Sequence, residues 1–301
     1  MVDLFPGFAR RRVPTSGAEI HLRVGGDGPP VLLLHGYPQT HACWHRIASP
    51  LAERFTVVAP DLRGYGDSGV PPSDSEHRAY SKRVLAQDQV EVMRALGFER
   101  FAVVGHDRGA RVAYRMALDH PERVARLVVL DIVPTAEMWR RIDKEVATAI
   151  YHWFFLIQPD GFPEAMIGHD PDDFLERLVT AWAGDRARIA PEAMAEYRRC
   201  FRRPEVIHAT CEDYRAGATV DFAEDEADRA AGRRIACPVL ALWGGHSFVA
   251  GERFDPMAIW RAWATDVSGG AIEGGHFLPE EAPDAVLTRL LPFLDDGTAA
   301  R

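Results

Sequence analysis

Val103-Val104-Gly105-His106-Asp107-Arg108-Gly109-Ala110-Arg111 is the stretch whose reading decides the rest of the chain. The apolar run Phe101 to Val104 predicts a buried strand. Arg108 to Leu118 predicts a helix, with Ala110, Ala113, Tyr114 and Ala117 at helical spacing. Gly-x-Asp-x-Gly joins the two. A residue presented at so sharp a strand-to-helix turn sits in a strained backbone conformation, and close packing leaves no room for a Cβ on its neighbours. The free N–H groups of the helix start face any negative charge that develops there. An aspartate could also cap the helix at Arg108, but capping asks for neither flanking glycine. A carboxylate is a nucleophile at neutral pH without first losing a proton. It can displace a leaving group from an sp³ carbon, giving an alkyl ester of Asp107 that water must then hydrolyse.

Outward from this turn, strands and helices alternate. Ala18 to Val24 alternates as a half-buried strand. Val31 to Leu34 is a buried strand running into His35-Gly36-Tyr37-Pro38. Trp44 to Arg54 predicts a helix, and Phe55 to Ala59 a strand that leads into Asp61-Leu62-Arg63-Gly64-Tyr65-Gly66-Asp67-Ser68. Tyr80 to Leu96 predicts a helix closed by Gly97. Beyond the central turn, Arg126 to Leu130 is a strand ending in Asp131. Residues 136–230 are helical and aromatic-rich with no convincing buried strand. The strand pattern resumes at Cys237 to Gly244, a last strand and its loop fall within Ala271 to Phe277, and Pro283 to Leu294 is the closing helix. This order predicts an α/β fold with a mostly parallel central sheet flanked by helices and ligands at the carboxyl ends of the strands. The Gly-x-Asp-x-Gly turn resembles the nucleophile elbow of α/β-hydrolases, with aspartate where most members carry serine. His-Gly-x-Pro resembles their oxyanion loop, so the N–H of Tyr37 would pair with the N–H of Arg108. The expected division is an α/β-hydrolase core, residues 1–135 and 231–301, with an inserted helical cap, residues 136–230.

Composition bounds the function. The chain has 301 residues, enough for one large domain with an insertion or for two. A net charge of −9 and the absence of any basic run argue against a nucleic-acid binder. Cys43, Cys200, Cys211 and Cys237 show no metal-ligand spacing and read as reduced thiols, the pattern of a cytoplasmic protein. Met1 to Arg12 has no apolar core of a signal peptide, and no apolar run reaches membrane-spanning length. No membrane association is expected.

Partners for Asp107 follow from position. Gly274-Gly275-His276-Phe277 follows the last strand, and His276 is the expected general base toward the hydrolytic water. Its orienting acid could follow the Cys237–Gly244 strand, but Glu252 and Asp255 come late there. Asp131 ends the preceding strand and is the better choice. Arg108 adjoins the nucleophile and Arg111 lies one helical turn away on the same face. Two guanidiniums beside a nucleophile suit a substrate carboxylate and help keep Asp107 ionised. In the helical insertion, His152, Trp153 and Tyr214 each carry a donor that a departing halide needs, although their spacing alone does not select them.

Together these stretches resemble the fluoroacetate dehalogenases, a branch of the α/β-hydrolases. The resemblance rests on Gly105 to Arg111, Val129 to Thr135, Tyr151-His152-Trp153, Glu212 to Gly217 and Gly275-His276-Phe277. It implies Asp107 as nucleophile, His276 as base and Asp131 as its acid. Arg108 and Arg111 would bind the substrate carboxylate, and His152, Trp153 and Tyr214 the halide. Trp182 would be a further aromatic at the pocket or its entrance. It also implies a homodimer that needs no metal or cofactor and acts on small haloacids, fluoroacetate plus water giving glycolate plus fluoride. Tyr37 stands where phenylalanine is more usual, and Ala183 to Ala190 is compact for the family. The nearest rival is an epoxide hydrolase using the same Asp107 and His276 with Tyr151 and Tyr214 as proton donors. Neutral epoxides and haloalkanes need no arginine pair, which disfavours both substrates. A non-catalytic receptor or scaffold would be expected to have lost part of the Asp107, His276 and Asp131 set.

Overall fold

A computed structural model describes residues 3–250 and 254–295. Its strands are β1 (Ala9–Pro14), β2 (Glu19–Gly25), β3 (Pro30–Leu34), β4 (Thr56–Pro60), β5 (Phe101–His106), β6 (Val124–Leu130), β7 (Val239–Gly244) and β8 (Val267–Ile272). They form one sheet in the order β1-β2-β4-β3-β5-β6-β7-β8. The first two pairings, β1 with β2 and β2 with β4, are antiparallel, and the rest are parallel. The apolar runs Val31–Leu34, Val57–Ala59, Val103–Val104 and Leu127–Leu130 are fully buried, as a parallel sheet covered on both faces requires.

Helices α1 (His45–Ala52), α2 (Lys82–Ala95) and α3 (Arg108–Asp119) connect the first strands. Between β6 and β7 the chain is wholly helical: α4 (Thr135–Arg140), α5 (Lys144–Ala149), α6 (Tyr151–Leu156), α7 (Phe162–His169), α8 (Pro171–Trp182), α9 (Pro191–Phe201), α10 (Pro204–Ala218) and α11 (Val220–Ala230). Then come α12 (Pro256–Trp263), α13 (Leu278–Glu281) and α14 (Pro283–Asp295). None of the described helices is long and apolar enough to cross a membrane.

Two expectations shift. β1 is a strand that the hydrophobic pattern does not announce, because it is an exposed edge carrying Arg10, Arg11 and Arg12 and burying only Val13. The last strand is Val267–Ile272, earlier than Ala271–Phe277, and Glu273 to Phe277 is loop. Its small residues hide it: a Cβ on Gly269 would lie 1.9 Å from the Ala241 carbonyl oxygen.

Register places the site. Leu34 pairs with Gly105, His106 with Leu130, and Leu130 with Leu242. The ladder runs one residue past the strands, with Asp107 N–H on the Leu130 carbonyl (3.2 Å) and Asp131 N–H on the Leu242 carbonyl (2.8 Å). The His35–Pro38 loop, Asp107, Asp131 and Gly244 therefore end side by side.

The helical insertion docks on α3 through buried charge. Arg115 donates to Asp225 (2.9 Å) and Asp228 (2.5 Å) of α11. Arg108 donates to both Asp213 oxygens of α10 (2.9 and 3.1 Å), and Lys82 joins Asp213 to Asp221. Pairing this complete offsets the cost of burying these charges.

Candidate active site

Asp107 has φ 45° and ψ −117°, a strained conformation for a residue with a side chain. The glycines on either side permit it. A Cβ on Gly105 would lie 2.4 Å from Ala110 Cα, and one on Gly109 would lie 2.3 Å from the carbonyl oxygens of Leu34 and His35. Although Asp107 stands at the N-cap of α3, its side chain makes no capping bond. It accepts instead from the Tyr37 N–H, 3.0 Å from Oδ2. The amide of Arg108, the other expected donor, opens α3 directly after it.

His276 Nδ1 lies 2.6 Å from Asp131 Oδ2, and Gly244 N–H donates to Asp131 Oδ1 at 2.9 Å. Asp131 is thus held by strand β7 and aimed at the imidazole. Asp255 is engaged elsewhere as the cap of α12, and Glu252 lies outside the described residues. Burial opposes a charged imidazole at His276, but the Asp131 bond and charge, with Asp107, outweigh it and raise the pKa. Burial likewise opposes ionised Asp107, while His276, His106, Arg108 and Arg111 together hold its pKa below the usual carboxylate value. A cavity of about 410 Å³ opens on this pair, lined by Asp107, Arg111, His152, Trp153, Trp182 and His276 among others.

The arginine pair is not symmetrical. Arg108 is saturated on one side by Asp213, leaving Nη1 without a partner, and its guanidinium lies 4.2 Å over the Tyr214 ring. Arg111 donates through Nη1 to the Val133 carbonyl (3.1 Å) and Thr135 Oγ1 (3.0 Å), and its Nε has no partner. Among the described residues no carboxylate lies within ion-pairing distance of Arg111, so α3 carries Arg108 and Arg115 ion-paired and, between them, Arg111 with only the longer-range charge of Asp107. Burial first, and then the charge of Arg108, lower the Arg111 pKa.

His152, Trp153 and Tyr214 do converge. The His152 and Tyr214 rings are 5.7 Å apart and Trp153 and Tyr214 6.0 Å. Burial pushes His152 down to about 3, so it is a neutral ring, and its Nδ1 has no partner. Tyr214 and Arg108 are buried and do not themselves line the cavity. Trp182 does line it, 4.4 Å from the His152 ring and 5.7 Å from His276. Tyr151 also lines the cavity but is 51% exposed, unlike buried Tyr214.

Sequence reasoning missed Asp213, Thr135 and His106. The first two hold the arginines, and His106 Nε2 contacts the His276 carbonyl oxygen at 2.8 Å. Asp213 sits inside Glu212 to Gly217, so its motif was visible but its long-range partner was not. Among the described residues, His21, His41 and Asp61 have metal-ligand chemistry. Each ring Nδ1 lies 2.8–2.9 Å from an Asp61 oxygen, and those oxygens also accept from the His41 and Asp67 amides. That set is a hydrogen-bonded joint of the Asp61–Ser68 turn.

Comparison with known proteins shows the family and the fold. Residues 29–283 match the model of the α/β hydrolase fold family. A fluoroacetate dehalogenase of Burkholderia sp. is 45% identical over 98% of this chain and 96% of its own length. A soluble epoxide hydrolase of Corynebacterium sp. (strain C12) is 36% identical over 92% of this chain and 94% of its own. The crystal structure of a candidate α/β hydrolase from Nostoc sp. PCC 7120 superposes with a TM-score of 0.92 at 56% identity, covering 95% of this chain and 98% of that one.

Proposed function

The chain belongs to the α/β-hydrolase family, in the branch of the fluoroacetate dehalogenases, and from that premise we propose that it hydrolyses small haloacids, fluoroacetate above all, to the hydroxyacid and halide. Arg111 carries this reading. It is a buried guanidinium with no carboxylate of its own, in the cavity that holds Asp107. A substrate carboxylate supplies the missing anion, and the positive charge of Arg108, on the same helix but outside the cavity lining, adds to the attraction.

Tyr37 holds Oδ2 of Asp107, which leaves Oδ1 to attack the carbon that bears the halogen. The C–O bond forms as the carbon–halogen bond breaks, and the electron pair leaves with the halide toward His152 and Trp153 of the cavity wall, with Tyr214 packed against both rings. Fluoride is a poor leaving group, so these donors act by binding more tightly as charge builds on fluorine. Water then adds to the Asp107 ester carbonyl and gives its proton to His276, whose charged form Asp131 stabilises. The oxyanion is met by the amides of Tyr37 and Arg108. Collapse expels the glycolate alkoxide, which takes the proton back from His276, and restores Asp107 with one oxygen from water, its carboxyl proton passing to solvent. Assembly as a cytoplasmic homodimer is part of the same proposal.

The experiment is fluoride release from fluoroacetate by the native protein, Asp107→Asn and Arg111→Leu, with chloroacetate and an aryl epoxide in parallel. The expected result is fluoride release by the native protein, none from Asp107→Asn, and a loss of ~10²-fold or more in kcat/KM for Arg111→Leu. Epoxide opening with both haloacetates untouched would replace this reading by the epoxide hydrolase of the Corynebacterium relative, with Tyr214 and Tyr151 as donors. Turnover of chloroacetate alone would keep the mechanism and remove the fluoride pocket.

A further inference from the structure

The loop that carries His276 is fastened to the helical insertion by one side chain. Glu281 lies five residues after the histidine, at the end of α13, and is 8% exposed. Its Oε2 accepts from the amides of Gly184 (2.7 Å), Asp185 (3.1 Å) and Gly275 (3.2 Å), and its Oε1 from the amide of Phe277 (2.8 Å). Two of these donors follow Trp182 at the end of α8, and the other two flank His276. The bond to Phe277 is the kind a short helix makes to its own N-terminus. Capping does not account for the other three, two of which come from residues nearly a hundred positions away.

The backbones meet directly beneath this carboxylate. A Cβ on Gly275 would lie 2.1 Å from the Gly184 nitrogen. The His276 N–H donates to the Trp182 carbonyl at 3.1 Å, and the Trp182 ring stacks near Phe277 with centroids 6.3 Å apart. Asp107, by contrast, is placed by its own turn and by Tyr37, with no bond to Glu281.

We propose that Glu281 is a positioning residue that sets His276 and the Trp182 wall of the cavity as one unit, so that the base stands correctly only when the insertion is seated. This deepens the reading of His276 as the base toward the ester and rests on it. Loss of the tie therefore strikes the second half-reaction, addition of water to the Asp107 ester, and spares the first. It also alters the charge that His276 senses. The groups facing that imidazole are Asp131 just past β6, Asp107 and His106 from the central turn, His152 from α6 and Glu281 from α13. The Glu281 charge helps raise the His276 pKa, so its removal lowers that pKa and moves the acid limb of kcat toward lower pH.

The test is Glu281→Gln, isosteric but uncharged, compared with the native protein in three measurements. Imidazole NMR titration without substrate is expected to lower the His276 pKa by about half a unit. Hydrogen exchange is expected to show the amides of Gly184, Asp185, Gly275 and Phe277 losing ~10-fold protection while β5 and β6 keep theirs. Rapid mixing with haloacetate is expected to give a halide burst followed by steady turnover slowed ~10²-fold. An unchanged His276 pKa together with unchanged protection at Gly184 and Asp185 would overturn the proposal. Titration and exchange need no turnover, so absence of haloacetate activity in the native protein would sink the functional reading and leave this test standing. If Glu281→Gln does not fold, Glu281→Asp keeps the charge but shortens the reach. It is then expected to hold the His276 pKa near its native value while the Gly184 and Asp185 amides exchange faster, and native protection there would overturn the tie.

Discussion

Asp131 uses both oxygens, one for the His276 ring and one for the Gly244 amide. Asp131→Asn keeps the shape and removes the charge that, in the proposed mechanism, stabilises protonated His276. Ester hydrolysis should slow by ~10³–10⁴-fold while halide displacement continues, so alkylated Asp107 accumulates and is visible by intact-protein mass spectrometry. Asp213 does the same service for Arg108, whose guanidinium it grips at 2.9 Å. Burial opposes the Asp213 charge, and Arg108 and Lys82 together hold its pKa far below the ordinary carboxylate value. Asp213→Ala leaves two buried cations facing each other with only Asp221 near. The expected cost is about 3–5 kcal/mol, read from urea unfolding, together with weaker binding of haloacid. Native stability in Asp213→Ala would mean that water reaches this cluster and replaces the carboxylate.

At the scale of the element, α3 does two jobs with one stripe. Arg108 and Arg115 bind the carboxylates of α10 and α11, and Arg111 between them faces the cavity with its charge unspent. The helix can approach the sheet closely enough for this only because Gly109 has no side chain. Gly109→Ala would drive a Cβ to 2.3 Å from two carbonyl oxygens of the β3 end. The helix must then back away, which displaces Asp107 and Arg111 together. A loss of ~3 kcal/mol in stability and of nearly all activity is expected, and a variant with native Tm but no activity would show that displacement alone, without unfolding, disarms the site.

Over the whole molecule, the sheet and the helical insertion meet through buried polar joints, and one of them titrates. Glu280 accepts from Gln39, next to the oxyanion loop, and from Tyr197 of α9, and burial pushes its pKa up to about 8. The folded protein therefore holds a proton there that the unfolded chain has released, from about pH 5 upward. Stability from this group is fully present below the unfolded carboxylate pKa and is lost as pH rises through about 8. Urea midpoints measured from about pH 5 to about pH 9 should decline, and Glu280→Gln should flatten that slope. An equal slope in both proteins would place the pH dependence elsewhere, with His276 and its neighbours the next groups to examine.

By itself the sequence determined the parallel part of the sheet and the central turn that presents Asp107. Buried parallel strands are continuous apolar runs, and a strained turn needs glycine at fixed places, so both are local signals. His276 and Asp131 were legible because each ends a strand whose position in the order is known. What stayed hidden was whatever depends on distance through space. Two arginines look alike in sequence, and only docking of α10 shows that Arg108 is spoken for by Asp213 and Arg111 is not. Edge strand β1 lacks an apolar face, so it left no pattern. Glu281 looks like a helix-end acid until Gly184 is folded against Gly275 and four amides point at one carboxylate. Strands and turns are set by near neighbours, but a buried charge is defined by the group that reaches it from the far side of the molecule.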